Sequence, residues 1–395
     1  MHRLSFLLLS CVLGTNARSL LDAISSNPEL SNFTAFYSAN EEFANALYNN
    51  ESNWPMTVLI PSNQAFVSYQ QQYNTSLTSL TADQLLPLVQ YHTLVSNLSG
   101  PDLATPDGLT IPTQLTSSAY NNRTAGPSLA AKYGGAQKAS GQVVFISSSS
   151  SSTNTKKLLL SRQAGSGDPS IRSGLGSNVN LTAVSDASGL WDGGRYHIID
   201  GLLTPPAPCH TTIRGAGLTS LDTALNRTSL WSALDHGTNL TCLGPSNAAF
   251  QRAGNPQTSL SEEGLNAALL MHTLPQVAYS DFLVDGQEFG SLGGGTVRVR
   301  VEGVGRERRV WFNNAEVVEA NVLTNNGLMH VLDDVLKPVD QVNATSSTSV
   351  TASATASATS SGAAAASSSG GAVVMGAGAK SWSLLSALGM LMYLV

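Results

Sequence analysis

Four histidines recur in two matched pairs, and they are the first residues to test for chemistry. His92 ends the run "TADQLLPLVQYH" and His272 ends "SEEGLNAALLMH", each 11 residues after a Thr or Ser, Thr81 and Ser261. In "YHIIDGLLTP" and "MHVLDDVLKP", His197, Asp200 and Pro205 recur 133 residues later as His330, Asp333 and Pro338. An imidazole can act as a general base, a metal ligand or a buried hydrogen-bonder, and its company decides which. Here the company is poor. The 7 histidines never fall at i, i+4, and no H-E-x-x-H, G-x-S-x-G or G-x-x-x-x-G-K-S/T run occurs. Asp333 and Asp334 look like a carboxylate pair, but neighbours on a strand face opposite ways. His197 and His330 are therefore expected to be buried and satisfied by a backbone carbonyl or a neighbouring polar side chain. Tyr91, His92 and His272 carry the same buried reading and a second one: an aromatic or apolar residue with an imidazole at a helix end is a candidate partner contact. No catalytic set, cofactor site or metal site is expected, and the chain is read as not an enzyme.

The elements around these residues repeat in order. "TVLIPSNQAF" (57–66) and "TCLGPSNAAF" (241–250) agree in 7 of 10 letters, 184 residues apart. Each reads as a short apolar strand, a proline that cannot extend the ladder, a Ser or Asn that caps a helix, and an Ala-Phe pair starting its buried face. The runs ending at His92 and His272 read as capped helices. Thr81 with Gln84 makes a capping box, and Glu262 and Glu263 suit the positive end of the helix dipole. Pro87 predicts a kink. The third pair reads as a closing strand. The motif is thus first a folding device, a strand-to-helix corner that seeds a core, used twice.

The rest of the chain sets the context. Charged residues are 12% of 395, net charge is −6, and no Lys/Arg cluster of nucleic-acid type is present. Residues 1–17 have a basic start, an apolar run and a small-residue exit, the layout of a secretory signal peptide. Residues 18–206 form a first unit and 207–339 a second, divided at the prolines of "LLTPPAPCH". The first is longer because of low-complexity insertions around 147–178, read as flexible surface loops. Residues 340–371 are a Ser/Thr/Ala-rich stalk that cannot build a core. Residues 372–395 end in an apolar run and, after small residues, read as the removed signal of a glycosylphosphatidylinositol anchor. Ser369 is the expected attachment residue, with Ser368 and Gly370 beside it. Cys209 and Cys242 are an even pair suited to a disulfide in an oxidising compartment, the alternative being two separate buried thiols. Asn32, Asn50, Asn74, Asn97, Asn122, Asn180, Asn226, Asn239 and Asn343 head Asn-x-Ser/Thr sequons, and exposed ones should carry N-glycans.

These three ordered motifs resemble those of the fasciclin-like domain family, and the likeness covers residues of about 19–338. The resemblance implies an α+β fold: two tandem fasciclin-like domains, each a β-wedge or sandwich with packed helices, followed by the disordered stalk. It implies adhesion outside the cell through matrix, cell-wall or cell-surface protein or glycan partners, with the membrane reached by the lipid anchor and no nucleic acid bound. In animal members the Tyr-His region is tied to receptor-mediated adhesion. Tyr91-His92 matches it, and Met271-His272 departs. A surface ligand- or glycan-binding module, with a vacuolar location as the lesser option, is the alternative.

Overall fold

A computed structural model describes residues 18–148, 169–176, 178–182 and 189–338. The signal segment, the stalk, Asn343, Ser369 and the anchor signal lie outside the described residues.

Among the described residues fifteen strands form two sheets. The first holds β1 (Met56–Pro61), β2 (Thr93–Leu94), β3 (Leu109–Pro112), β4 (Val143–Ser148), β5 (Pro169–Arg172), β6 (Asn178–Thr182), β7 (Leu190–Trp191) and β8 (Gly194–Ile199). The second holds β9 (Leu240–Pro245), β10 (Thr273–Leu274), β11 (Glu288–Gly290), β12 (Thr296–Glu302), β13 (Arg309–Phe312), β14 (Ala315–Thr324) and β15 (Gly327–Leu332). The spatial orders are β2-β1-β8-β6-β5-β4-β3, with β7 beside β8, and β10-β9-β15-β14-β13-β12-β11. Strand for strand these are one topology used twice. In each, the first motif strand lies parallel to the closing strand. The registers match as well: Leu59 pairs with His197, and Leu243 with His330.

Alternation along β1 explains why a six-residue strand can be buried throughout. Met56, Val58 and Ile60 join a core with the helices Leu20–Ile24, Ser31–Ala39 and Glu41–Tyr48, while Leu59 faces a second core. In the second repeat Cys242 faces the helix side and Leu243 the other. Each such fully buried side chain contributes roughly 1.5–3 kcal/mol. The corner after the strand forms as its residues dictate. Ser62 and Ser246 cap the helices Asn63–Tyr73 and Asn247–Arg252 by accepting from the backbone N–H three residues on. Thr81 and Gln84 form the capping box of helix Ala82–Tyr91, which continues through Pro87. Ser261 caps helix Glu262–Met271.

Two expectations are corrected. The insertion around 147–178 is not loop throughout: Pro169–Arg172 and Asn178–Thr182 are strands paired to β4, to each other and to β8. Ile171 and Val179 face the core, and their apolar signal is diluted in sequence by surrounding Gly, Ser and Pro. Asp333 and Asp334 do not sit on a strand; β15 ends at Leu332. The Asp333 carboxylate instead accepts from the Glu316 N–H at 2.7 Å, as Asp200 accepts from the Asn180 N–H at 2.8 Å in the first repeat.

Candidate functional site

The repeated histidines are structural struts. His92 is buried. Its Nε2 accepts from the Leu203 N–H at 3.0 Å, so Nδ1 carries the proton and donates to the Leu88 carbonyl at 2.7 Å. His272 repeats this with the Leu336 N–H at 2.9 Å and the Ala268 carbonyl at 2.8 Å. Each imidazole thus ties the end of a helix to the chain leaving the closing strand. Tyr91 is fully buried and donates to the Val143 carbonyl at 2.8 Å. The expected partner contact at Tyr91, His92 and His272 is therefore corrected: these side chains face inward with their polar atoms engaged. Burial lowers the pKa of His92, His272 and His330 to about 4 in each case, against the opposing pull of a backbone carbonyl. A cavity of about 30 Å³ lies beside His92 among apolar side chains such as Phe33, Phe66 and Leu85.

The first and third motifs meet at a second strut. His197 Nε2 and His330 Nε2 bond the carbonyls of Leu98 and Ala278, each at 2.8 Å. The N–H groups of those same two residues donate to Thr57 Oγ1 at 2.8 Å and to Thr241 Oγ1 at 3.0 Å. Thr57 and Thr241 open the ten-residue motif and are fully buried. Its asparagines act likewise. Asn63 bonds the Pro28 carbonyl and the Asn32 N–H, and Asn247 bonds the Gly217 carbonyl and the Ser220 N–H. Thr241→Val, nearly isosteric, leaves the buried Ala278 N–H without an acceptor. It is expected to cost about 1–3 kcal/mol in urea unfolding, while Thr241→Ser stays close to the parent.

Cys209 and Cys242 come together in one apolar cluster, but both are free thiols, so the expected disulfide is corrected to two buried thiols. They pack as small apolar groups. Burial pushes the Cys242 thiol up to about 12, and Cys209 is raised by burial, then by nearby Cys242 and Asp235. Neither Cys209 nor Cys242 is expected to take up maleimide in the folded protein, and both should react in denaturant, as peptide mapping would show.

One arrangement carries no sequence motif, because its parts are 25 residues apart in the chain. His210 Nδ1 lies 2.6 Å from Asp235 Oδ2, and His210 Nε2 lies 3.0 Å from Thr211 Oγ1. Asp235 also accepts from the His210 N–H at 3.0 Å. The pair pins helix Cys209–Gly215 to helix Trp231–His236, and the hydroxyl is exposed beside it on the same helix. Among the described residues no group of three or more His, Cys, Asp or Glu could hold a metal ion, and no helix is long and apolar enough to cross a membrane.

Both repeats fall within one compact unit, and the seam between them is built. Tyr279, Leu323 and Leu328 of the second repeat belong to the first repeat's core, and Gly174 bridges Leu323 in parallel. Thr110 donates from N and Oγ1 to Asp281 at 2.8 and 2.5 Å, and the Asn122 N–H reaches the Asn325 carbonyl at 2.6 Å. Arg172 pairs with Glu319 at 3.5 Å and also donates to the Ala320 carbonyl. The linker is pinned too: the Thr204 carbonyl accepts from Gly174 and the Ala207 carbonyl from Asn325. A Cβ on Gly174 would lie 2.5 Å from the Pro205 carbonyl oxygen, so only glycine fits there. Burial raises the Asp281 carboxyl, against the Thr110 hydrogen bonds and the charge of Lys132. Two clefts open on the seam. One of about 270 Å³ is lined by residues including Ser128, Asn239, Gln276, Phe282, Gln287 and Phe289. The other, of about 310 Å³, is lined by residues including Asp107, Phe145, Arg308 and Glu316.

Of the sequons, Asn32, Asn50, Asn74, Asn97 and Asn226 are exposed, whereas Asn122, Asn180 and Asn239 are half-buried. Asn180 Nδ2 is held by Asp200 at 2.8 Å.

Comparison with known proteins agrees with the duplicated topology. A model of the fasciclin domain matches residues 28–205 and 216–338. A fasciclin-like arabinogalactan protein of Arthroderma benhamiae is 27% identical over 327 residues, spanning 82% of this chain and 68% of the relative. Fasciclin-like arabinogalactan protein CTB11 of Cercospora beticola is 29% identical over 195 residues, 49% of this chain and 50% of the relative. Human periostin is 25% identical over 166 residues, 40% of this chain and only 19% of periostin. Among solved structures, a FAS1 domain pair from the insect cell adhesion molecule fasciclin I aligns with 78% of this chain and 98% of its own, at 15% identity and a TM-score of 0.34. The two family matches take in most of the sequence and each contains one of the two sheets, so the chain belongs to the fasciclin domain family, which it carries twice in tandem.

Proposed function

We propose that the protein is exported, held at the cell surface by a C-terminal lipid anchor at Ser369, and works there as an adhesion or wall-organising protein. It contacts matrix, cell-wall or surface protein or glycan partners through the outer faces of its fasciclin pair. One observation carries this reading. The polar residues that recur in both repeats (Thr57 and Thr241, His92 and His272, His197 and His330) are committed to internal hydrogen bonds. What the pair offers a partner is then its shape and outer surface, the property an adhesion module uses. Low charge, the Ser/Thr/Ala stalk and the sequons support the setting. So does the naming of two relatives as arabinogalactan proteins.

The test is release of the protein from intact cells by a phosphatidylinositol-specific phospholipase, followed by binding of the freed ectodomain to isolated wall and matrix fractions. Retention on cells, with a control anchor cleaved, removes the anchor. An ectodomain that binds no wall, matrix or cell-surface fraction removes the adhesion role.

A further inference from the structure

The seam uses two sequons that come from different repeats, Asn122-Arg123-Thr124 and Asn239-Leu240-Thr241. Their carboxamides are treated in opposite ways. Asn122 Nδ2 is turned across the seam toward the carbonyls of His236 and Gly237, at 3.4 and 3.5 Å. Asn239 is held by its oxygen: Oδ1 accepts from the Thr124 N–H at 2.6 Å and from Thr124 Oγ1 at 3.2 Å. Its Nδ2 makes no hydrogen bond among the described residues, and Asn239 lines the cleft of about 270 Å³. That cleft offers what a sugar ring uses: apolar faces at Phe282 and Phe289, and amides and a hydroxyl at Gln276, Gln287 and Ser128.

We propose that Asn239 carries an N-linked glycan whose first N-acetylglucosamine sits in this cleft and braces the two repeats, while Asn122 stays bare. The inference rests on the exported reading above, since the donor is a lipid-linked oligosaccharide diphosphate. In the transfer, Asn239 Nδ2 forms a bond to C1 of the first sugar. The C1–O bond breaks, its electron pair leaves with the lipid diphosphate, and one amide proton is lost to solvent. The reaction takes place on the unfolded chain. The first repeat then closes over the sugar as Thr124 docks onto Asn239 Oδ1, which orients the carboxamide without occupying its nitrogen. A glycan on Asn122 Nδ2 would stand where that nitrogen meets the carbonyls of His236 and Gly237, so chains modified there cannot close the seam and do not reach the folded, exported protein.

The first arm uses the full chain expressed in a eukaryotic host and recovered from the cells, with sites mapped by mass spectrometry. Asn239 is expected to be occupied and Asn122 bare. In the native protein, peptide N-glycosidase should release the Asn239 glycan about tenfold more slowly than those on exposed Asn32 and Asn74, with the difference vanishing in denaturant. Asn239 bare while Asn32, Asn74 and Asn97 are occupied overturns the proposal, and so does equal release from the native protein. The second arm does not depend on export. Asn239→Cys is coupled to an iodoacetamide derivative of N-acetylglucosamine. Coupling is expected to raise the melting temperature and to slow proteolysis at 204–208 relative to the uncoupled variant, with Asn74→Cys unchanged by the same label. No change, or a loss, on coupling at Asn239 overturns the cradle. If every sequon is bare in the first arm, export is what fails, and the coupled variant still decides the cleft.

Discussion

Between pH 6.5 and about 5, the protein is expected to lose a large part of its folding stability. His92, His272 and His330 each have a pKa near 4 when folded against 6.5 when unfolded, because burial disfavours the imidazolium. In the window between those values the unfolded chain binds more protons than the native one, so stability rises with pH. The full stability is present above 6.5 and is lost progressively toward 4. At pH 5 each histidine costs roughly 2 kcal/mol. Three together are comparable to the ~5–15 kcal/mol that holds a typical domain. Carboxylates take up their protons mainly below this window, which isolates the histidines. Geometry points the same way, since a proton added to Nε2 of His92 or His272 meets the N–H of Leu203 or Leu336 head-on. Urea midpoints at pH 7, 6 and 5 check the prediction, and the slope should approach three protons. In the His92→Gln, His272→Gln double variant it should fall toward one. A flat profile from pH 7 to 5 would show that these imidazoles are not held neutral by the fold.

Tyr279→Ala is expected to be the most damaging single change at the seam. The ring comes from the second repeat, yet it is 2% exposed and packs in the first repeat's core with Leu59, Tyr91 and Val143. Removing it should cost about 3–5 kcal/mol, as for other large aromatic truncations. Because the loss falls where the repeats share a core, unfolding should split into two transitions where the parent shows one. Calorimetry reads both effects. Tyr279→Phe is the control. The Tyr279 hydroxyl is buried without a partner among the described residues, so its removal should be neutral or stabilising by ~1 kcal/mol. A Tyr279→Phe variant as unstable as Tyr279→Ala would mean that the hydroxyl, not the ring, holds the seam. A Tyr279→Ala variant that still melts in one transition would mean that the polar contacts at Asp281, Asn122 and Arg172 suffice.

Much of this was legible in the letters. A buried parallel strand followed by Pro-Ser-Asn specifies a corner locally: the proline ends the ladder and the serine caps the helix, so Ser62 and Ser246 could be read directly. Thr81 with Gln84 is local in the same way. The buried reading of His197 and His330 followed from the absence of any chemical company. Less legible were the strands Pro169–Arg172 and Asn178–Thr182, whose short alternation lies among Gly, Ser and Pro. Their pairing is decided by β4 and β8, far away in the chain.

The sequence alone determined that one fold is built twice, since duplicated caps, turns and strand patterns act over a few residues and survive transcription into any context. Only the tertiary structure decided what the repeated polar groups do. The acceptor of the Leu203 N–H is His92, 111 residues away, and the donors to Asp281 lie on Thr110, 171 residues away. Tyr91, His92 and His272 could be read as an outward contact until such partners were in place. Whether a polar side chain faces a ligand or a neighbouring backbone group is set by which distant segments bury it, and no local pattern of residues encodes that.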